Sequence, residues 1–303
     1  MNAELALIAD ALVRATPLII AGLAVAFAFR GGVFNIGAEG QLLVGATAAT
    51  AVTLASQESL GRLSVVLALI AGAIAGAAWA WIAAELKRRF NVLEIISTIM
   101  LNFIAIHLVS FLVRGPLQEP TRIYPQTETF IRSGRLPLLI PGTRLHMGFA
   151  IAIVLAATLG WIFRRTAFGF RVRATGASPV AAKVAGLIDI DRTSLFVFLV
   201  SGALAGIAGS VEVSGVTFAL YENLSPGYGY TAIAVALIAG LNPAGIIASG
   251  IFFGVLETGA SALQREFAVP SSLASVVEAT LIVAVLTIAA MRGRHSLVHS
   301  VKS

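Results

Sequence analysis

The stretch Arg30-Gly31-Gly32-Val33-Phe34-Asn35-Ile36-Gly37-Ala38-Glu39-Gly40-Gln41 concentrates four glycines, one carboxylate and two amides between apolar neighbours. These groups make hydrogen bonds, and none is a nucleophile with an attendant base. A charged group near a membrane costs a few kcal/mol unless it is paired or wet. Glu39 therefore lies at the interface, pairs with a basic residue such as Arg30, or faces a polar cavity. A second informative stretch is Thr175-Gly176-Ala177-Ser178-Pro179-Val180-Ala181-Ala182-Lys183-Val184-Ala185-Gly186. Ser178 suits an N-cap, because its hydroxyl can accept a first-turn N–H. Pro179 suits the first helical position, where a missing N–H costs nothing. Gly186 suits a left-handed stop. These marks delimit a helix of about two turns, Ser178–Ala185, with Val180 and Val184 on one face. So short a helix needs a partner or a membrane surface to hold it.

Other chemistry is not encoded. The chain has no cysteine and four histidines, at positions 107, 146, 295 and 299, none with carboxylates at metal-ligand spacing. No metal site is expected. There is no Gly-x-x-x-x-Gly-Lys-Ser/Thr phosphate loop, so the chain is not expected to hydrolyse ATP.

The elements that carry these stretches are apolar and long. Ala9–Phe29, Arg62–Ala84, Val92–Val113, His146–Phe163, Leu195–Val213 and Val276–Met291 are nearly free of charge. About 20 helical residues cross the roughly 30 Å hydrocarbon layer. Of 303 residues, 58% are hydrophobic and 12% charged, whereas a soluble domain is about 25% charged. The expected fold is all-α: a polytopic bundle of about nine spans (8–10), one membrane domain over residues 1–303. The first run is expected to be a retained span. The net charge of +6 belongs to topology signals and not to nucleic-acid binding, because basic residues bracket the spans. Arg30, Lys87-Arg88-Arg89, the loop 164–194, Arg292, Arg294 and Lys302 are assigned to the cytoplasmic side, and the loop Arg114–Leu145 to the other. Tyr228–Leu241 is too short to cross as a regular helix, and Asn242-Pro243-Ala244-Gly245 breaks it. That break is either a turn at the inner surface or an interruption of the kind seen in transport paths. Asn35–Ala55 begins polar and then turns apolar. Gly72, Gly76, Gly202, Gly206 and Gly209 form small-residue stripes for close helix packing.

Gly32–Gln41, Glu94–Asn102, Thr175-Gly176 with Ala181-Ala182, Ser201–Gly206 and Gly227–Leu237 together resemble the inner-membrane permease family of ABC importers for simple sugars and nucleosides. The resemblance covers about residues 15–290, and the Phe-Asn-Ile-Gly-Ala-Glu-Gly-Gln form is closest to the nucleoside branch. It implies a multi-pass subunit of the bacterial inner membrane, embedded in lipid. Its partners would be a second permease, identical or paralogous, cytoplasmic ATPase subunits and an extracytoplasmic substrate-binding protein. It implies no cofactor in this chain, ATP and Mg being bound by the ATPase. Residues 164–194 become the coupling loop, with Ser178, Pro179, Val180, Ala181, Lys183, Val184 and Gly186 as the ATPase contact. Phe34, Asn35, Glu39, Asn102, His107, Tyr228 and Tyr230 become candidates for the solute path, offering rings for a base and polar groups for ribose hydroxyls. His107 also fits as a packing residue, and Glu94 and Asn91 fit helix-end roles. Glu212, Glu257 and Glu278 are expected to pair with residues the sequence does not identify. The rival readings are an ion-coupled secondary transporter, which also uses broken helices and intramembrane carboxylates, and an integral-membrane enzyme.

Overall fold

The computed structural model describes residues 3–184 and 189–267, and beyond them the isolated positions 276, 279, 280, 283, 284 and 287. The described residues form ten α-helices and no β-strand: α1 (Ala3–Arg30), α2 (Ala38–Ser56), α3 (Leu63–Phe90), α4 (Glu94–Arg114), α5 (Gly148–Arg165), α6 (Ala167–Ala177), α7 (Pro179–Val184), α8 (Ile190–Glu212), α9 (Tyr228–Ile238) and α10 (Pro243–Phe267). Six are long and apolar enough to cross a bilayer, namely α1, α3, α4, α5, α8 with its extension to Thr217, and α10. The expectation of about nine spans is not met among these residues. α2 carries Glu39 and Gln41 in its first turn, which lowers its apolar character. α9 has only 11 residues, about 17 Å. The expected span Val276–Met291, with Glu278, lies outside the described residues.

α1 is apolar all round because it is enclosed: 83% of its membrane window is buried, against 28% for α3 and 33% for α4. A helix without a polar face belongs in the middle of a bundle. α3 and α4 instead present Ile70, Ile74, Met100, Phe103 and Phe111 outward, as helices solvated by lipid do. α2, α3 and α8 meet backbone to backbone. A methyl group on Gly45 would overlap Gly206, and one on Gly76 would overlap the Gly202 carbonyl. With lipid as competitor, close van der Waals approach is what holds such helices together.

The two ends differ in chemistry. At one, Lys87 pairs with Glu94 at 2.8 Å, Gly32 lies against Gly176, and Arg164 and Arg165 share a cavity rim with Asn242. The cytoplasmic assignments that fall on described residues thus share one end. Asn242-Pro243 is a tight turn there, with Leu241 left-handed (φ 58°) and the Asn242 carboxamide accepting the Ala244 N–H at 3.1 Å. Asn91, also left-handed (φ 53°), closes α3, and Glu94 opens α4, where a carboxylate suits the helix dipole. The basic loop 164–194 holds an unexpected helix, α6, whose first turn is capped by Thr166 accepting from Gly169 N–H at 3.0 Å.

The segment 115–147 folds over the opposite end. Its backbone bonds Thr127 to Leu220 and Phe130 to Phe218, both at 2.8 Å. Gln57, at the end of α2, accepts from Ile131 N–H at 3.0 Å. Arg114 clasps Glu222 through bonds of 2.6 and 2.7 Å, and this ion pair and its hydrogen bonds hold the Glu222 carboxyl down at about 2.

Candidate functional site

Two interrupted helices meet inside the bundle. α1 ends at Arg30, and the chain then turns back into the protein as extended backbone before α2 begins. Asn102 lies about 12 Å along α4 from Glu94, at about 1.5 Å per residue. Its Oδ1 accepts from Gly40 N–H at 2.8 Å, and its Nδ2 donates to the Ile36 carbonyl at 3.0 Å and to the Tyr230 hydroxyl at 3.2 Å. The start of α2 therefore sits well below the basic end. α9 starts at the same level: Gly229 N–H donates to Glu39 Oε2 at 2.6 Å. Ser225 accepts from Gly227 and Tyr228 N–H groups at 3.2 and 3.0 Å and also hydrogen-bonds the Glu39 carboxyl. One carboxylate thus lies between two helix N-termini, where unpaired N–H groups and the positive dipole ends favour it. Gly229 makes the approach possible, because a side chain there would strike the Glu39 backbone.

Asn35 ties this junction to the central helices. Its carboxamide pairs reciprocally with Gln41 at 2.9 and 3.0 Å. It donates to Ser201 Oγ at 2.9 Å and accepts from Gly37 N–H at 2.9 Å. Ser201 in turn donates to the Ala24 carbonyl at 2.8 Å. Irregular backbone at membrane depth survives only when such bonds are supplied from within the protein. The unusual polarity of residues 35–41 is that supply.

Among the path candidates, Asn35, Glu39, Asn102 and Tyr230 come together here. Phe34 sits beside them, its N–H 3.4 Å from Glu94 and its ring 5.5 Å from that of Phe29. Phe34 is 52% and Tyr230 41% exposed, so each ring offers a free surface. Tyr228 points elsewhere, into a cavity of ≈ 340 Å³ at the opposite end that Glu212, Arg14 and Tyr221 also line. His107 is on an exposed side of α4. Sequence reading passed over Gln41, Ser201, Ser225 and Gly229. Gln41, Ser201 and Gly229 stood inside the noted motifs, but the role of Ser201 depends on packing of α8 against α1. Of the carboxylates whose partners the sequence left open, Glu257 approaches Arg14 at 3.9 Å.

At the basic end, Ser178 Oγ accepts from Ala181 N–H at 3.3 Å, the geometry of a cap. α7 has six residues and turns Val180 (75% exposed) and Val184 (82%) outward. Lys183 is exposed beside them, while Gly186 lies outside the described residues. Residues Gly31, Lys87, Arg88, Thr175, Pro179 and Asp191 line a neighbouring cavity of ≈ 360 Å³. No group of three or more His, Cys, Asp or Glu able to hold a metal occurs among the described residues.

The family described as branched-chain amino acid transport system / permease component matches residues 7–286. A glucose ABC transporter permease protein of Haloferax volcanii is 38% identical over 289 residues, 92% of this chain and 75% of the relative. A guanosine ABC transporter permease protein of Bacillus subtilis is 37% identical over 293 residues, 95% of this chain and 83% of the relative. A nucleoside ABC transporter permease protein of Lactococcus lactis is 32% identical over 276 residues, 88% and 75% of the two chains. Each of these organisms has a second similar permease protein, at 28%, 30% and 28% identity respectively. No solved structure matches.

Proposed function

This chain belongs to the branched-chain amino acid transport system / permease component family, and from that premise we propose that it is the membrane subunit of an ATP-driven importer for nucleosides. It works in the cell membrane beside a second, paralogous permease. A binding protein delivers the solute at the end covered by residues 115–147, and ATPase subunits dock on α6 and α7. The observation that carries the reading is the junction of α2 and α9. Two helices that stop at membrane depth, bridged by Glu39, form a joint that can open without unravelling a continuous span. The similarity to guanosine and nucleoside permeases supports the solute class, and the paired relatives support a second permease.

The mechanism is a coupled equilibrium. ATP closes the ATPase pair, and α7, with Val180 and Val184 seated in the ATPase, carries that closure into α6 and α8. ATP biases the path only by its different affinity for the two arrangements. The solute moves past Phe34 and Tyr230, whose rings give weak stacking surfaces, while Asn35 and Asn102 hold the joint. Within this chain no cofactor takes part, ATP and Mg being held by the ATPase. Co-purification with the ATPase subunits tests this reading. Lys183→Glu combined with Val184→Asp should release them while the permease stays folded. Equal recovery of ATPase with the wild-type and doubly substituted chains would contradict it.

A further inference from the structure

The cavity at the covered end is lined by groups that take no part in the junction of α2 and α9. Glu212 is the last residue of α8, and the next five, Val213–Thr217, form a π-helix. The wider turn opens the helix beside the carboxyl, as such segments often do at functional sites. Glu212 is 3% exposed, and its Oε2 has no hydrogen-bond partner among the described residues. A buried polar atom without a partner is rare and calls for a ligand or a specific role. The cavity, ≈ 340 Å³, is also lined by Asp10, Arg14, Arg144, Tyr221 and Tyr228. Its size falls within the range of small-molecule sites.

We infer that this cavity is an entry site for the incoming solute, and that the Glu212 carboxyl receives a pair of vicinal hydroxyl groups. Asp10, Glu212, Arg14 and Arg144 line the cavity and Glu257 stands 3.9 Å from Arg14, so charges of both signs surround it. An uncharged polar solute fits such a mixed lining. The groups such a solute would bring to Oε2 are hydroxyl donors, and two oxygens of one carboxyl suit two neighbouring hydroxyls. The tyrosine rings give an aromatic surface on which a base can lie. The site adjoins residues 217–227, at the end opposite α7, where a solute handed over by a binding protein enters. This inference rests on the importer reading for its direction of traffic but not for its chemistry. A ribose carries vicinal hydroxyls, and so does a free sugar.

The full chain in lipid nanodiscs, with no ATPase or binding protein present, allows a separate test. Saturation-transfer NMR is recorded with guanosine, with 2′,3′-dideoxyguanosine and with D-glucose. Guanosine should receive saturation at its ribose protons, about tenfold more than with Glu212→Gln, and the dideoxy compound should give only the weak signal in either protein. A glucose signal that depends on Glu212, with none from guanosine, also supports the hydroxyl site and selects a sugar as solute. Equal signals from guanosine and its dideoxy counterpart, an unchanged signal with Glu212→Gln, or no signal from any probe on the wild-type chain would overturn it. If Glu212→Gln fails to fold, Glu212→Asp keeps the charge but withdraws the oxygens by one methylene. A ribose signal unchanged by that substitution has the same overturning force. ATP-driven uptake reports on the importer reading by itself, so the two can fail independently.

Discussion

Two buried glutamates in this molecule have opposite surroundings. Glu39 and Glu212 are each 3% exposed, yet Glu39 is bonded by Gly229 and Ser225 between two helix ends, while Glu212 keeps an oxygen without a hydrogen-bond partner among the described residues. A carboxyl whose hydrogen-bonding capacity is met inside the fold builds architecture. One whose capacity is left open, in a cavity, is available to a ligand. The contrast extends to the neighbours. Asn35 and Gln41 spend their amides on each other, Asn35 also on Ser201 and the Gly37 backbone, and Asn102 on backbone and the Tyr230 hydroxyl, so the motif most conspicuous in the sequence is mainly a joint.

The sharpest way to break the contrast is to remove each carboxyl. Glu39→Ala leaves the Gly229 N–H buried without an acceptor and strips a negative charge from two positive helix ends. It should cost about 3 kcal/mol, read as a marked fall in melting temperature in detergent. Glu212→Gln should leave that temperature almost unchanged, because Oε2 makes no hydrogen bond among the described residues. Equal destabilisation by both would erase the distinction. Gly206→Ala comes next. Its methyl would strike the Gly72 carbonyl and should cost about 2 kcal/mol through overpacking, with no selective effect on solute contacts. Tyr230→Phe removes one acceptor from Asn102 and should cost about 1 kcal/mol, detectable as a small shift in the same melt.

A further expected effect is one of acidity in the covering segment. His146 is fully buried, accepts from Gly148 N–H at 3.1 Å and is pushed down to about 4 by burial and by Arg144. The unfolded chain, with an ordinary value near 6.5, binds the proton first. Stability contributed by the neutral ring is therefore complete above about pH 6.5 and is lost as pH falls towards 4. His146→Gln should flatten the melting-temperature profile in that window, and an unaltered slope would show that His146 is not its source.

Much of this was legible in the residues themselves. Spans appeared as long uncharged runs, the basic end as Lys87-Arg88-Arg89 and the arginines after α5, and the cap of α7 as Ser178-Pro179. The Phe-Asn-Ile-Gly-Ala-Glu-Gly-Gln stretch announced a polar device at depth. The span count was not legible, because α2 and α9 are enclosed by other helices and need not match the bilayer thickness. α6 was hidden because its basic residues read as a loop, whereas only its contacts with α5 and α8 make it a helix worth forming. The outer cavity was invisible for a further reason. Asp10, Arg14, Arg144, Glu212 and Tyr221 are scattered over more than two hundred positions, and only the packing of α1 against α8 and the fold of the covering segment and the loop after Thr217 gather them.

The central claim is that this subunit has no motor of its own. The most direct test is radiolabelled guanosine uptake into proteoliposomes, with and without the ATPase subunits, second permease and binding protein. The account predicts accumulation only in the complete, ATP-loaded assembly. Accumulation by the single chain, driven by a proton or sodium gradient alone, would contradict it.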